Sequence, residues 1–256
     1  MRIGIGIPVY VNLINHCDFL NQTTKSIKTS HEWIFIPIIN RYTIDKQGWQ
    51  FTQQPSEVIE LEGRQPQSVS KAWNDIIGKA IEERCEYIVI LNQDVVLARS
   101  AIDNFVAYAE KNKSTNLMWA MEESKRLDTL NTYVGEPLGL KSSFSAFMVD
   151  RNFSGVFGRF DENIIPAYFE DNDTYARIVK LKKHMIQCKD ARFFHYGSVI
   201  LKTDPNYQNS HHITFKKNRD YFVKKWGHDP VWTEEEVFRL YYRTPFNDPE
   251  NDINSW

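Results

Sequence analysis

The pattern of apolar and polar positions alternates between strand-like and helix-like stretches through the first half of the chain. Short runs rich in Ile and Val are typical of buried strands, whereas apolar positions spaced three and four residues apart indicate amphipathic helices. The strands are predicted at Arg2–Val11, Trp33–Ile39, Glu57–Leu61, Tyr87–Leu91 and Leu117–Met121, and the helices at Asn15–Thr29, Gln67–Arg84 and Ser100–Lys111. This alternation predicts an α/β fold with helices on both faces of a mostly parallel sheet.

The second half of the chain is less regular. Its predicted elements are a strand at Ser143–Val149, helices at Asp150–Phe157, Ala167–Lys182 and Ile213–Trp226, and an extended segment at His184–Phe194. We interpret His211 and His212 as part of a loop, and the tail after Pro245 as loosely ordered. Since no repeat or low-complexity linker separates the halves, residues 1–122 and 123–256 are predicted to form one compact unit.

Composition and charge exclude several classes of protein. A net charge of −2 and a pI near 6.4 give no general argument for nucleic acid or anionic membrane as a partner. Cys17, Cys85 and Cys188 are widely scattered, which disfavours a disulfide framework or a structural zinc site and favours a reducing cytosol. The chain enters a strand directly after Met1, and no apolar run reaches about 18 residues. We therefore expect a cytoplasmic protein, with any contact to a membrane made at the membrane surface.

Polar or turn-forming residues stand where three of the predicted strands end. In sheets of this kind, ligands bind beyond the carboxyl ends of the strands. The segments at those ends are Pro8-Val9-Tyr10, Asn40-Arg41 and Asn92-Gln93-Asp94. We therefore expect them to contact a ligand.

The opening Gly4-Ile5-Gly6 resembles part of a dinucleotide-binding fingerprint. However, Val9 occupies the third glycine position, and Pro8 comes before any helix can begin. Both glycines are therefore predicted to lie within the first strand.

Asp94 follows a buried strand and is the candidate metal ligand. Mg²⁺ and Mn²⁺ prefer hard oxygen ligands and often retain water and substrate phosphates, so one or two protein ligands are enough. The alternative is a structural Asp that caps a helix or stabilises a turn.

Glu170, Asp171 and Asp173 form an acidic cluster at the start of a predicted helix. A general base must be an ionisable group within reach of the proton that it removes, and neighbouring acids can raise one pKa. The alternative is that these acids only complement the helix dipole.

His195 follows the extended segment and could complete a metal shell, because imidazole also ligates manganese. The alternative is a histidine with a purely structural role. Basic residues concentrate near the end of the chain, where one or two could contact a phosphate and the rest would form a solvated helix face. They are Lys202, Lys216, Lys217, Arg219, Lys224 and Lys225.

Taken together and in order, these motifs resemble the family 2 glycosyltransferases and their relatives with the GT-A fold. Leu91-Asn92-Gln93-Asp94 stands where the family has its metal-binding Asp-x-Asp, and Glu170-Asp171-x-Asp173-x-x-x-Arg177 is similar to its Glu-Asp motif. The opening strand through Asn12, the helix Ser70–Ala80 with Asn74, the segment Phe144–Phe160, His195-x-Gly-Ser and the stretch Asn218–Gly227 extend the resemblance from Ile3 to Gly227.

The resemblance implies a Rossmann-like, mostly parallel central sheet flanked by helices, with a smaller acceptor-side subregion. It implies transfer of a hexosyl or pentosyl group from a nucleotide-diphosphate donor to a hydroxyl acceptor, with inversion. Asp171 would be the general base beside Glu170, and Asp94 with His195 would hold Mn²⁺ or Mg²⁺. The donor would contact residues 1–122, through Pro8, Val9, Tyr10, Asn40, Arg41, Asn74, Asn92, Gln93 and Asp94, and the acceptor would contact residues 123–256.

Two departures from the family pattern keep alternatives open. Asn92 replaces an acid that is common in the metal motif, which motivates an inactive nucleotide-diphosphate-binding protein with an assembly or regulatory role. Arg41 stands where an Asp often contacts the nucleoside, so the base preference stays open. A nucleotidyltransferase would need a Gly-rich, basic loop after the first strand, and the chain lacks one there. The acceptor could be a saccharide, a protein side chain or a modified nucleic-acid base.

Overall fold

The computed structural model describes residues 1–44, 48–112, 116–122, 127, 130–131, 144–183 and 186–230. Within these ranges, one mixed sheet is flanked by helices. The strands are β1 (Arg2–Val11), β2 (Glu32–Tyr42), β3 (Glu57–Val58), β4 (Leu61–Glu62), β5 (Tyr87–Leu91), β6 (Val95–Leu97), β7 (Leu117–Glu122), β8 (Ala146–Asp150) and β9 (Ile186–His195). The helices are α1 (Ile14–Ser26), α2 (Val69–Glu82), α3 (Ala101–Lys111), α4 (Phe153–Phe157), α5 (Glu170–Lys180), α6 (Val199–Thr203) and α7 (Pro205–Trp226).

The first half forms the parallel part of the sheet. β1 pairs in parallel with β2 on one side and with β5 on the other, and β3 and β4 extend the sheet beyond β2. The predicted α/β alternation is confirmed, and β5 has the predicted bounds. The single strand predicted at Glu57–Leu61 is instead two short strands.

The second half continues the same sheet with a change of direction. β8 lies antiparallel between β5 and β7, and β9 runs parallel to β7. β6, which the sequence pattern did not predict, pairs antiparallel with β9 and places Val95 opposite His195. The division of the chain at residue 122 stays a prediction, and Ser143, His184 and the tail after Pro245 lie outside the described residues.

Helix α7 begins eight residues earlier than predicted, at Pro205 rather than Ile213. The Asp204 side chain caps it by accepting hydrogen bonds from the backbone N–H groups of Asn206 and Tyr207. The interpretation of His211 and His212 as loop is therefore wrong. At the other end Gly227 adopts a left-handed conformation with φ of 81° and ends the helix as predicted.

Apolar side chains pack on both faces of the sheet. One cluster joins β1 to α1 and α3, and a second joins β5 and β8 to α2 and α4. A third, smaller cluster packs α5 against α7 through Phe169, Ala176, Phe222 and Trp226. Among the helices that the structure describes, none is both long and apolar enough to cross a lipid bilayer.

The two glycines of β1 lie within the strand, as predicted, and allow α2 to pack closely against the sheet. A Cβ atom on Gly6 would lie 2.2 Å from Cγ2 of Ile76, and one on Gly4 would lie 2.7 Å from Cβ of Ala80. Contacts this short do not occur in packed cores, so β1 needs glycine at both positions. The Gly-x-Gly pattern therefore serves helix packing here and gives no support to a dinucleotide-binding fingerprint.

We expect the substitution Gly6→Ala to lower the free energy of unfolding by about 1 to 3 kcal/mol, because the added methyl overpacks the contact with Ile76. Chemical denaturation followed by circular dichroism measures this change. Gly78→Ala is the matched control, since Gly78 lies exposed in α2 and an added Cβ there would meet nothing within 4 Å beyond the neighbouring backbone of its own helix. That variant should gain about 0.5 to 1 kcal/mol through helix propensity. Equal effects of the two substitutions would contradict the packing argument.

Candidate active site

A cavity of about 360 Å³ opens at the carboxyl ends of β1 and β5. It brings together residues that are far apart in the chain: the ends of two strands, the start of α5, the end of β9 and the helices α6 and α7. Its lining consists of Pro8, Tyr10, Asn40, Gln67, Ser68, Val69, Trp73, Asn92, Gln93, Asp94, Phe144, Ser145, Pro166, Ala167, Tyr168, Glu170, Asp171, His195, Ser198, Val199, Ile200, Leu201 and Tyr207.

Asp94 and His195 meet in this cavity because β6 and β9 pair directly beside them. His195 Nε2 lies 3.2 Å from Asp94 Oδ1, and Asp94 Oδ2 accepts a hydrogen bond of 3.4 Å from the backbone N–H of Val199. On the other side of the imidazole, Ser145 Oγ lies 3.3 Å from Nδ1. A buried carboxylate and a histidine with a fixed ring orientation therefore face one another.

This pair suits a divalent cation. The Ser145 hydroxyl can donate to Nδ1 or accept from it, so it supports either tautomer, including the one that frees Nε2 for a metal. One carboxylate and one imidazole leave most of a metal shell for phosphate oxygens and water, as Mg²⁺ and Mn²⁺ commonly have when bound with a nucleotide. Across the described ranges, no group of three or more His, Cys, Asp or Glu side chains forms a metal cage.

Glu170 and Asp171 line the same cavity from the first turn of α5. The two preceding residues turn the chain sharply, since Tyr168 and Phe169 have φ of 73° and 81°. Asp171 Oδ1 accepts a 2.8 Å hydrogen bond from the N–H of Asn172, whereas Glu170 Oε2 is buried with no partner in the described part of the chain. The structure thus places both acids and the Asp94–His195 pair around one space.

The environment of both acids favours their protonated forms. Burial raises the pKa of Glu170, and the neighbouring Asp171 charge raises it further. Burial likewise raises the pKa of Asp171, against an opposing effect of backbone hydrogen bonds. Among the described residues, no Lys or Arg forms an ion pair with either acid, so no ion pair of this kind offsets the free-energy cost of ionising them. A carboxylate with a raised pKa is a stronger proton acceptor than an ordinary one.

We expect Glu170→Gln to raise the melting temperature at pH 8.5 by about 2 to 4 °C, which corresponds to about 1 kcal/mol in a chain of this size. In the unfolded chain Glu ionises near its ordinary pKa of about 4.3, but the fold favours the protonated form to a higher pH. Stability present at low pH is therefore lost as pH rises through the folded pKa, and Gln removes that loss. Thermal melts of both proteins at pH 5 and pH 8.5 measure the effect.

At pH 5 the difference between the two proteins should shrink, because the wild-type Glu170 then remains protonated. Glu86→Gln is the control, since Glu86 is an exposed acid outside the cavity. A stabilisation by Glu170→Gln that is equal at both pH values would show that relief of ionisation is not its cause.

Asp173, the third acid of the cluster, points away from the cavity into the protein. It is fully buried, forms an ion pair with Arg177, and accepts a 2.9 Å hydrogen bond from Trp226 Nε1. Lys225 Nζ lies 2.6 Å from Asp173 and 2.6 Å from Asp161. Asp173 therefore connects the first turn of α5 to the last turn of α7, and Arg177 and Lys225 balance its negative charge.

The predicted donor residues fall into two groups. Pro8, Tyr10, Asn40, Asn92 and Gln93 line the cavity together with Asp94. The Gln93 amide, however, is engaged with the Tyr10 backbone, accepting from its N–H at 2.6 Å and donating to its carbonyl at 2.8 Å. Gln93 therefore holds the end of β1 beside the turn that carries Asp94.

Val9, Arg41 and Asn74 do not line the cavity. The Val9 side chain is buried in the core, and the Arg41 guanidinium lies 5.8 Å from the centre of the Tyr10 ring. The Asn74 amide donates to the Phe160 carbonyl at 2.9 Å and accepts from its N–H at 3.0 Å. In this structure Asn74 thus joins α2 to the segment that leads toward α5.

Aromatic residues form much of the cavity wall, and of those described below only Tyr10 was predicted as a site residue from the sequence. Trp73 and Phe144 are stacked with ring centres 5.8 Å apart. Tyr10 and Tyr207 meet edge to face at 6.1 Å, and Tyr168 lies near the charges of both Glu170 and Asp94. Two features of the sequence could have indicated these aromatic residues: Tyr168 lies next to the acids, and Trp73 lies in the apolar stripe of α2.

The predicted basic cluster lies on α6 and α7, and much of it forms ion pairs within the chain. Lys216 pairs with Asp220, Arg219 pairs with Asp229, and Lys225 joins the buried network described above. Lys202 follows the cavity-lining Leu201, and its Nζ donates to the Tyr196 carbonyl at 3.5 Å. Of the cluster, Lys202 stands nearest in sequence to the cavity lining.

The amino-acid sequence matches no protein-family profile, and no curated protein matches it either. The fold, in contrast, is similar to that of solved structures. The TarS 1-349 structure from S. aureus aligns with a TM-score of 0.52 and 10% identity, over 89% of this chain and 74% of that one. A longer TarS structure aligns with a TM-score of 0.52 and 12% identity, over 94% of this chain and 45% of that one.

A structure of GalNAc-T7 with UDP, GalNAc and Mn²⁺ aligns with a TM-score of 0.53 and 13% identity, over 76% of this chain and 43% of that one. The central sheet flanked by helices in this chain matches the GT-A fold of these neighbours. The predicted GT-A fold, with helices flanking a central sheet, is therefore confirmed. At these identities the likeness establishes the fold alone.

Proposed function

We propose that this protein is a glycosyltransferase that moves a hexosyl or pentosyl group from a nucleotide-diphosphate donor to a hydroxyl acceptor. One observation carries the proposal. In a GT-A fold, the Asp94–His195 pair and the acids Glu170 and Asp171 line a single cavity. A site of this composition can hold a cation that offsets the charge of a diphosphate, and it can accept a proton, as glycosyl transfer requires.

The charge of the cavity supports a metal-dependent donor site. Asp94, Glu170 and Asp171 contribute carboxylates, and no Lys or Arg is present among the described lining residues. Since no Lys or Arg among the described lining residues could pair with a diphosphate, we assign that role to a cation held at the Asp94–His195 pair. Mn²⁺ or Mg²⁺ at that pair would stabilise the negative charge that develops on the departing diphosphate. The presence of UDP and Mn²⁺ in the GalNAc-T7 structure supports this assignment.

The proposed chemical step assigns the proton to Asp171. Its carboxylate accepts the proton of the acceptor hydroxyl as that oxygen forms a bond to the anomeric carbon of the sugar. The bond from this carbon to the diphosphate oxygen breaks, and its electron pair leaves with the diphosphate. Attack from the face opposite the leaving group inverts the configuration. Asp171 suits the task because it lines the cavity and because burial raises its pKa.

The experiment that tests the proposal measures release of nucleoside diphosphate from UDP-, GDP- and dTDP-sugars by the purified protein. We expect turnover of at least one donor with Mn²⁺ or Mg²⁺ and its loss in EDTA. A thermal-shift measurement on the same panel separates the alternative function, since a ligand that binds the folded protein raises its melting temperature. A melting shift without any turnover would favour the inactive nucleotide-diphosphate-binding protein, which Asn92 in the metal motif motivates.

A further inference from the structure

A row of rings leads out of the candidate active site along α7. We define the aromatic row as Tyr207, His211 and Phe215, which are spaced four residues apart on one helix face, together with Tyr168, which packs against them. The Tyr207 and His211 rings are stacked at 6.4 Å, and His211 meets Tyr168 at 4.7 Å and Phe215 at 5.6 Å. Tyr168 and Tyr207 line the cavity, whereas Phe215 is 37% exposed. The row is therefore continuous from the cavity to the protein surface.

The length of the row exceeds what a single sugar needs. Eight helical residues separate Tyr207 from Phe215, which corresponds to about 12 Å along the helix axis. A large aromatic ring left partly exposed beside a binding cavity is a common feature of ligand-binding surfaces. Flat aromatic faces suit the apolar C–H faces of pyranose rings, whose hydroxyl groups can remain in water at the rim.

The charges along this path disfavour an anionic ligand. The described lining of the cavity contains three carboxylates and no Lys or Arg. Arg219 follows Phe215 on the same helix face, but its guanidinium is paired with Asp229 at 2.7 and 2.6 Å. An anionic polymer that enters here would find no Lys or Arg among the described lining residues to pair with its charges, whereas a neutral saccharide needs no such partner.

We propose that the aromatic row is an outer subsite for a neutral saccharide chain, whose terminal hydroxyl enters the cavity near Asp171. This inference rests on the proposed function for its reacting end, but the subsite itself binds its ligand without any donor present. It selects a neutral oligosaccharide as the acceptor over a nucleic acid, a polyuronate or an isolated small alcohol.

The test is equilibrium binding of the full chain, by isothermal titration, to cello-, malto-, manno- and chito-oligosaccharides of increasing length. Oligogalacturonate and single-stranded DNA are the anionic probes. We expect at least one neutral series to bind with an affinity that rises with chain length. Phe215→Ala and His211→Ala should each weaken binding of the longest member about 3- to 10-fold and affect the shortest member less. Ile213→Ala, which truncates a 72% exposed apolar side chain on the same helix, is the matched control and should change nothing.

The inference is overturned if no neutral series binds, if an anionic probe binds more tightly than every neutral one, or if both ring variants that remain folded by circular dichroism bind like the control. Donor turnover, measured separately with water as acceptor, reports on the proposed function. Saccharide binding without turnover of any donor, measured with water alone and with the bound saccharide present, would leave the subsite standing and contradict the transferase. Turnover without saccharide binding would support the transferase and contradict the subsite.

Discussion

Replacing Asp171 with Asn should reduce sugar transfer by about 10²- to 10⁴-fold, the usual contribution of a general base. Asn has nearly the same shape as Asp and can still accept the hydrogen bond from the Asn172 N–H, but it cannot accept the acceptor proton. Because Asp171 lines the acceptor side of the cavity in the proposed mechanism, affinity for the nucleoside diphosphate should stay nearly unchanged. Steady-state release of nucleoside diphosphate, together with nucleotide titration, measures both quantities.

Two comparisons make this result specific to Asp171. Asp18→Asn changes an exposed acid on α1 outside the cavity and should leave transfer unchanged. Glu170→Gln changes the neighbouring acid, whose buried Oε2 has no partner in the described part of the chain. Should Glu170→Gln abolish transfer while Asp171→Asn retains it, the base would be Glu170, and the roles proposed for the two acids would be reversed.

The pH dependence of transfer follows from the same environment. A base must be ionised to accept a proton, and burial raises the pKa of Asp171 above that of an ordinary carboxyl group. Activity should therefore decline with falling pH at a higher pH than the ordinary Asp pKa of about 3.9 would give. This shift favours a catalytic carboxylate over acids that only complement the dipole of α5, since dipole complementation alone would lower the pKa.

The sequence predicted the parallel part of the sheet well because each strand carries its own apolar run between turn residues. β6 was missed because it has only three residues, and its partner His195 lies about one hundred positions away. The first half of α7 was missed for a different reason. Only Asn218, Phe222 and Trp226 of this helix are buried, so no apolar stripe marks its first turns.

The acidic cluster shows how far the sequence reaches within the site. Successive residues turn about 100° around a helix, so Asp171 and Asp173 project about 200° apart and cannot both face one cavity. The sequence identified the cluster, but which acid faces the cavity depends on the orientation of α5 about its own axis relative to α7. Contacts with Trp226 and Lys225 fix that rotation, and these residues lie more than fifty positions away.

Distant packing also decided which donor candidates reach the cavity. Asn74 was predicted beside the diphosphate, yet its amide is occupied by the Phe160 backbone, and Val9 packs in the core. The alternation of side chains along a strand explains why Val9 is directed into the core. Neighbouring residues point to opposite faces of the sheet, and Pro8 and Tyr10, on either side of Val9, line the cavity. Nothing local to α2 indicates the hydrogen bonds of Asn74, because its partner lies more than eighty positions further along the chain.

Replacing Asp94 with Asn should weaken Mn²⁺ binding by more than about 100-fold and remove metal-dependent binding of nucleoside diphosphate. The amide oxygen can still accept from the Val199 N–H, so the turn after β5 should keep its shape while the negative charge is lost. Ser145→Ala removes only the hydroxyl that orients His195 at Nδ1, and such an outer partner contributes about 10- to 100-fold in metal affinity. Titration of the purified protein with Mn²⁺, followed by the electron spin resonance signal of the free ion, measures both variants without requiring activity.

The order of these effects is the decisive result. A direct metal ligand contributes more to affinity than a residue that only orients another ligand. The loss of Mn²⁺ affinity should therefore be larger for Asp94→Asn than for Ser145→Ala, and Asp18→Asn should cause no loss. If all three proteins bound Mn²⁺ like the wild type, the Asp94–His195 pair would be a structural hydrogen bond between β6 and β9. A diphosphate would then have neither a cation at this pair nor a Lys or Arg among the described lining residues to offset its charge, and the proposed donor site would be contradicted.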